Sequence, residues 1–290
     1  MRVIRSVAEL RIALKALREE GHRIGFVPTM GYLHEGHATL MQHSRQRCGA
    51  TVVSIFVNPT QFGPSEDLAT YPRDLEGDQN LCLRMGVDVL FLPEASEMYP
   101  SHFQTFIEPG TVAAPLCGRF RPGHFRGVAT VVAKFFNMVQ PDLAFFGQKD
   151  LQQCAVIRRM VRDLNLPVDV VVVPTVREKD GLALSSRNSY LSDAERQRAL
   201  SISQGLFAAE AAFRDGERSV DMLTAIAFDP LHLVDQVQYC ELVDALTLDA
   251  LSGDVDRPAA LCVAAYVGRT RLIDNVLLNP SGEGVSFGNG

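Results

Sequence analysis

Strands that are apolar almost throughout can be buried on both faces, and this chain carries five of them, spaced by segments of helical periodicity. They read Ile24 to Val27, Thr51 to Val57, Val87 to Leu92, Leu143 to Phe146 and Val168 to Val173. A first helix precedes them: Ser6 with Glu9 forms a capping box, Leu10, Leu14 and Leu17 share a face, and Gly21 stops it. Helices are expected from Glu35 to Arg47, Leu75 to Met85, Val128 to Val139 and Leu151 to Leu164. That alternation predicts an α/β domain over residues 1–176, a doubly wound parallel sheet covered on both faces. The texture changes after about Val176. Ser192 with Glu195 caps a long helix to about Phe213, and the runs Val237 to Val243, Leu261 to Val267 and Arg271 to Leu278 read as strands, the last two a hairpin through Gly268 and Arg269. Residues 177–290 are therefore expected to form a smaller α+β C-terminal domain ending in a flexible tail over about 280–290.

The bulk properties narrow the partners. A net charge of −6 argues against nucleic acid, so any anionic substrate must meet locally arranged positive charge. No apolar run approaches the roughly 20 residues that cross a bilayer, and the N-terminus reads as no targeting segment. Six scattered cysteines without a close pair suit free thiols and a cytoplasmic location.

Chemistry concentrates where strands give way to helices, the ligand edge of such a sheet. His34 and His37 lie three residues apart at a helix start, with Gly36 between them and positive backbone potential behind. Imidazoles there can donate to phosphate oxygens; a surface pair or half a metal site is the alternative. Asn58 and Gln61 follow a buried strand and can bond a hydroxylated acid, although Asn-Pro also starts turns. Lys149 and Asp150 stand at another helix start, suited to phosphate and Mg²⁺ respectively, or to capping. Ser185, Ser186 and Arg187 can grip phosphate oxygens or form a solvated turn. Arg119, Arg121, His124 and Arg126 concentrate positive charge in one Gly/Pro segment.

The motifs Pro28-Thr-Met-Gly-(x)2-His34-x-Gly-His37, Phe56-Val-Asn-Pro-Thr-Gln-Phe62, Arg121-Pro-Gly-His-Phe-Arg-Gly127, Phe146-Gly-Gln-Lys-Asp-Leu-Gln-Gln153 and Ser185-Ser-Arg-Asn-Ser-Tyr-Leu191 come in one order. In that order they resemble the pantothenate synthetases, Rossmann-like members of the nucleotidyltransferase superfamily with its His-x-Gly-His motif, over residues 1–279. The resemblance implies condensation of pantoate with β-alanine through a pantoyl adenylate, releasing AMP and pyrophosphate. His34, His37, Lys149, Ser185, Ser186 and Arg187 would be catalytic. ATP would also touch Pro28, Met30, Gly36, Phe146, Gly147, Asp150, Val176 and Leu184. Pantoate would meet Met30, Gln61, Gln153 and Arg121, and Mg²⁺ would meet Asp150 and Asp78, the latter otherwise an ordinary exposed helix carboxylate.

Two departures stand out. Gln148 occupies a position where Glu is commoner and receives no role, and Leu184 replaces a frequent Met. A homodimer is expected by resemblance alone. The Ser185–Arg187 segment is expected to be mobile until nucleotide binds. Competing readings are a nucleotidyltransferase that stops at an adenylylated product, a nucleotide sensor on the same fold, and a zinc hydrolase built on His34 and His37.

Overall fold

Strand β2 (Ile24–Thr29) lies in the middle of the larger sheet and divides its side chains between two cores. Phe26 packs with Leu10, Leu14, Phe135, Val156 and Ile157 on one face, and Val27 with Leu40, Met41, Cys82 and Phe145 on the other. This is the period-two consequence of a strand apolar throughout. The structure, a computed structural model, describes residues 1–64, 66–282 and 285. Most of the expected tail, residues 283–284 and 286–290, lies outside that set.

The first half runs β1 (Arg2–Ile4), α1 (Val7–Glu19), β2, α2 (Glu35–Arg47), β3 (Ala50–Ile55), α3 (Leu75–Arg84), β4 (Val89–Phe91), α4 (Ala95–Met98), α5 (Cys117–Phe120), α6 (His124–Val139), β5 (Leu143–Gly147), α7 (Leu151–Asp163) and β6 (Asp169–Val173). Its six strands are parallel in the order β1-β4-β3-β2-β5-β6, so the doubly wound sheet is present as expected. Phe135 of α6 ties the strands together, its ring centroid 5.6 Å from that of Phe26 and 6.4 Å from those of Phe56 and Phe91.

Two expectations need correction. The strand from Ile24 is the second in the chain; β1 precedes it as an edge strand in which only Ile4 is buried, too short to leave a pattern. Nor does β2 end before Pro28, which continues opposite Ser54 of β3. Thr29 directs its carbonyl to Phe56, on the β3 side, so Pro28 directs its missing N–H toward β5. The β2–β5 ladder has already stopped, after Gly25↔Leu143 and Phe26↔Ala144. Order reverses at this junction, and the two strands part here.

The second half contains α8 (Asp193–Arg214), α9 (Val220–Phe228), β7 (Gln236–Asp244), β8 (Ala259–Val267) and β9 (Thr270–Leu278). The capping box is reciprocal: Glu195 N donates to Ser192 Oγ and Ser192 N to Glu195 Oε2. The three strands form a separate antiparallel sheet, β7-β8-β9. Leu261, Val263 and Ala265 pack with Leu206 of α8, while Ala260, Cys262 and Ala264 join the core of the first half. The small sheet is thus cemented to the large one through its second face.

Close backbone approach fixes the floor of the site. An added Cβ at Gly127 would lie 2.4 Å from the Thr60 carbonyl oxygen and 2.7 Å from Gln61 Cα. Gly127→Ala is accordingly expected to lower the urea midpoint, with a cost of about 1–3 kcal/mol for overpacking against backbone. An unchanged midpoint at unchanged m-value would show that α6 and the Pro59–Gln61 turn can separate freely.

Candidate active site

The parting of β2 and β5 opens a cleft at the carboxyl edge of the sheet, closed on its far side by the segment 184–187. Its walls include Pro28 and Met30 after β2, His34, Gly36 and His37 at the start of α2, and Phe146, Gly147, Lys149, Asp150 and Gln153 after β5. Val176, Leu184, Ser185, Ser186 and Arg187 come from beyond β6, and Gln61 and Arg121 complete the floor. One cavity therefore gathers every residue to which the resemblance gives a role except Asp78.

The histidines are held in defined tautomers. His34 serves as the N-cap of α2: Gly36 N donates to its Nδ1 at 3.2 Å, and His34 N donates to His37 Nδ1 at 3.2 Å. A backbone N–H can only donate, so both Nδ1 atoms are unprotonated and both rings carry hydrogen on Nε2. The ring centroids are 4.2 Å apart. Burial, then the charge of Lys149, pushes the pKa of His34 down to about 4; burial and then His34 push His37 well below the ordinary value. The pair is neutral at physiological pH, offering N–H donors without titrating. Gly36 is needed for this arrangement, because a Cβ there would stand 2.9 Å from the His34 ring.

The floor is a network of amides. Asn58 is buried; its Oδ1 accepts from Tyr99 Oη at 2.8 Å, and its Nδ2 donates to Gln61 Oε1 at 3.1 Å and to the Gly127 carbonyl at 3.2 Å. It orients Gln61, whose Nε2 also donates to Met30 Sδ at 3.1 Å. His124 donates from Nδ1 to the Gln61 carbonyl at 2.8 Å and accepts from Arg121 Nη1 at Nε2, 3.0 Å away. Burial, then Arg121, lowers its pKa to about 4.

The cations of the cleft all have acidic partners. Arg121 makes two 2.7 Å bonds to Glu66, and Arg187 bonds Asp67 at 2.8 and 2.9 Å. Lys149 Nζ is 3.6 Å from Asp150. Outside the cleft, Arg119 pairs with Glu241 and Arg126 with Glu108. The basic segment expected from Arg119 to Arg126 is consequently neutralised. Sequence reasoning misses Glu66, Asp67 and the nearby Tyr71 as site residues, and nothing in their local pattern marks them.

The geometry revises one expectation and adds contacts to two others. Asp78, read as an exposed carboxylate or a metal ligand, is buried away from the cleft; its oxygens accept from Tyr32 N at 2.9 Å and Leu33 N at 2.6 Å. It clamps the loop leading to His34. Second, the polar groups of the 185–187 segment already have protein partners: Ser185 Oγ accepts from Arg187 N, and Ser186 Oγ donates to the Tyr32 carbonyl. The segment is docked on the first half. Third, Gln148 does have contacts, described below. Asp150 suits Mg²⁺ carried in on phosphates, since such ions take one or two carboxylates and complete their shell with phosphate and water. Among the described residues no three His, Cys, Asp or Glu side chains group as a metal site, and no helix is long and apolar enough to cross a membrane.

Neutral, half-buried histidines predict a pH dependence of stability. Between about pH 6.5 and 4 the unfolded chain binds protons that folded His34 and His124 refuse, so stability falls as pH falls through that window. The urea midpoint should drop from pH 7 to pH 5, and His124→Gln should make that slope shallower. A slope identical in the variant would mean that His124 titrates in the fold as it does in the unfolded chain.

Comparison with known proteins shows what this chain is similar to. The pantoate-beta-alanine ligase family profile matches residues 2–277. A pantothenate synthetase 1 of Bradyrhizobium diazoefficiens is 63% identical over 279 residues, covering 96% of this chain and 99% of that protein. A crystal structure of pantothenate synthetase from Thermus thermophilus superimposes with a TM-score of 0.92 at 49% identity, over 97% of this chain and 100% of that one. The pantoate-beta-alanine ligase of Francisella tularensis, complexed with Beta-gamma ATP and β-alanine, has a TM-score of 0.80 at 33% identity, over 96% of this chain and 97% of its own.

Proposed function

The chain belongs to the pantoate–β-alanine ligase family, and on that premise we propose that it condenses pantoate with β-alanine, using ATP and passing through a pantoyl adenylate. The observation that carries the reading is the neutral His34–His37 pair, with Nε2–H donors beside Lys149 in the cleft. A carboxylate does not acylate an amine in water, because oxide is too poor a leaving group. A pantoate carboxylate oxygen attacks the α-phosphorus of ATP, the bond to the β-phosphate breaks, and pyrophosphate leaves. The amine of β-alanine then attacks the acyl carbon, AMP leaves, and the nitrogen sheds a proton as the amide forms.

In this scheme the protein positions reactants and meets developing charge. His34 and His37 donate to phosphate oxygens as charge grows on them. Lys149 faces the phosphates that depart in the first step, and Ser185, Ser186 and Arg187 grip them from the second half of the chain. Pro28, Met30, Gly36, Phe146, Gly147, Val176 and Leu184 form the walls against the nucleotide. Gln61 and Gln153 hold the pantoate hydroxyl and carboxylate, with the Met30 backbone and Arg121 alongside. Mg²⁺, held by Asp150 and the phosphates, would offset triphosphate charge. Because Arg121 and Arg187 are paired with Glu66 and Asp67, an anion that reaches them exchanges partners with those carboxylates. The domain boundary near residue 176, a homodimer and a cytoplasmic location belong to the same proposal; six unpaired thiols support the last.

Labelled pyrophosphate should exchange into ATP when pantoate is present and β-alanine absent, and chelating Mg²⁺ should suppress it. Exchange independent of pantoate would contradict the two-step scheme. Substituting side chains should separate the two pockets. Lys149→Ala and His37→Ala are expected to slow exchange about 10²-fold or more, roughly 2.7 kcal/mol. Gln61→Ala should instead weaken pantoate binding by about 1–3 kcal/mol, the cost of unpaired buried polar groups. If Gln61→Ala changed only the affinity for ATP, the pocket assignment would be wrong.

A further inference from the structure

The middle of β9 reaches back to the cleft from the small sheet. Asn275 is almost fully buried, and its Nδ2 donates to two successive carbonyls, that of Gln148 at 3.0 Å and that of Lys149 at 3.1 Å. Those oxygens belong to the two peptide units on either side of the Lys149 Cα. Peptide units are planar, so fixing both sets the backbone dihedrals of Lys149 and with them the direction of its side chain. The contact is reciprocal, since Gln148 Nε2 donates to Asn275 Oδ1 at 3.2 Å.

The neighbouring residue anchors the other wall. Asp274, also buried, receives Arg177 Nη1 at 2.6 Å and Nη2 at 2.9 Å. The same guanidinium donates to the Gly181 carbonyl at 3.1 Å, at the root of the segment that carries Ser185 to Arg187, and stacks 4.7 Å over the Phe207 ring. Asp274 Oδ1 further accepts from Asn275 N at 2.8 Å, locking the dipeptide. A rigid strand thereby holds both Lys149 and the segment leading to Arg187.

We propose that Asn275, braced by Asp274 and Gln148, is a positioning residue that sets Lys149 against the departing phosphates. This rests on the adenylate-forming reading and adds to it a residue outside the cleft's phosphate-binding motifs. It also gives Gln148 a role: its amide supplies the hydrogen that a carboxylate at that position lacks.

Lys149 acts in adenylate formation, so the two half-reactions should respond differently. Pantoate-dependent pyrophosphate exchange and the reaction of supplied pantoyl adenylate with β-alanine are measured on the full-length enzyme, per folded molecule. Asn275→Ala is expected to slow exchange by roughly 10- to 100-fold, the scale of a misplaced catalytic group, while the second half-reaction changes less than about threefold. Gln148→Ala removes only a half-buried amide and leaves both carbonyl contacts in place. It should shift the same ratio in the same direction by a smaller factor. Equal losses in both half-reactions, or an unchanged ratio in both variants, would overturn the positioning role. Absence of pantoate-dependent exchange in the unaltered enzyme would instead strike at the proposed function itself.

Discussion

Pro28 has no N–H to give, and it stands in a central strand at the point where the neighbouring strand would need one. Pairing between β2 and β5 ends at Phe26, two residues earlier, although β2 runs on to Thr29 and β5 to Gly147. The strands part, and the gap between them becomes the cleft. Two later features are aimed into it: the loop clamped by Asp78 leads to His34 and α2, and the turn pinned by Asn275 carries Lys149. Pairing with β3 continues past Pro28, so the sheet opens on one side only.

Within the cleft, hydrogen bonding and burial act in the same direction. Two backbone donors occupy the Nδ1 atoms of His34 and His37, and desolvation keeps both rings neutral. The positive charges are handled oppositely, each held beside a carboxylate. A pair of unit charges about 4 Å apart attracts by about 4 kcal/mol at an effective dielectric near 20, which favours keeping Arg121 and Arg187 beside their carboxylates until, in the proposed reaction, an anion takes those places. A protein of net charge −6 can in this way bind anions without an exposed basic surface.

The sheet was legible because its signal is local: apolar runs, the N-cap at Ser6 (where the expected reciprocal bond from the Ser6 N–H to Glu9 is absent), the full capping box at Ser192, and Gly21 at the end of α1 are all read within a few residues. The cleft residues were legible as motifs at strand ends. What escaped depends on contacts between distant parts of the chain. Glu66 and Asp67 acquire meaning only beside Arg121 and Arg187, and Asp78 looks exposed until the loop at Tyr32 folds over it. Asn275 lies 126 residues from Lys149. Pro28 reads as a strand end because the rule against proline in central strands assumes partners on both sides.

The central claim is that a pantoate oxygen becomes bonded to the α-phosphorus in this cleft. Pantoate labelled with ¹⁸O in its carboxylate tests it directly, with mass spectrometry of the products after complete turnover with ATP and β-alanine. Attack on the α-phosphorus followed by acyl transfer leaves one labelled oxygen in each AMP. Label absent from AMP, or found in pyrophosphate or inorganic phosphate, would contradict the account.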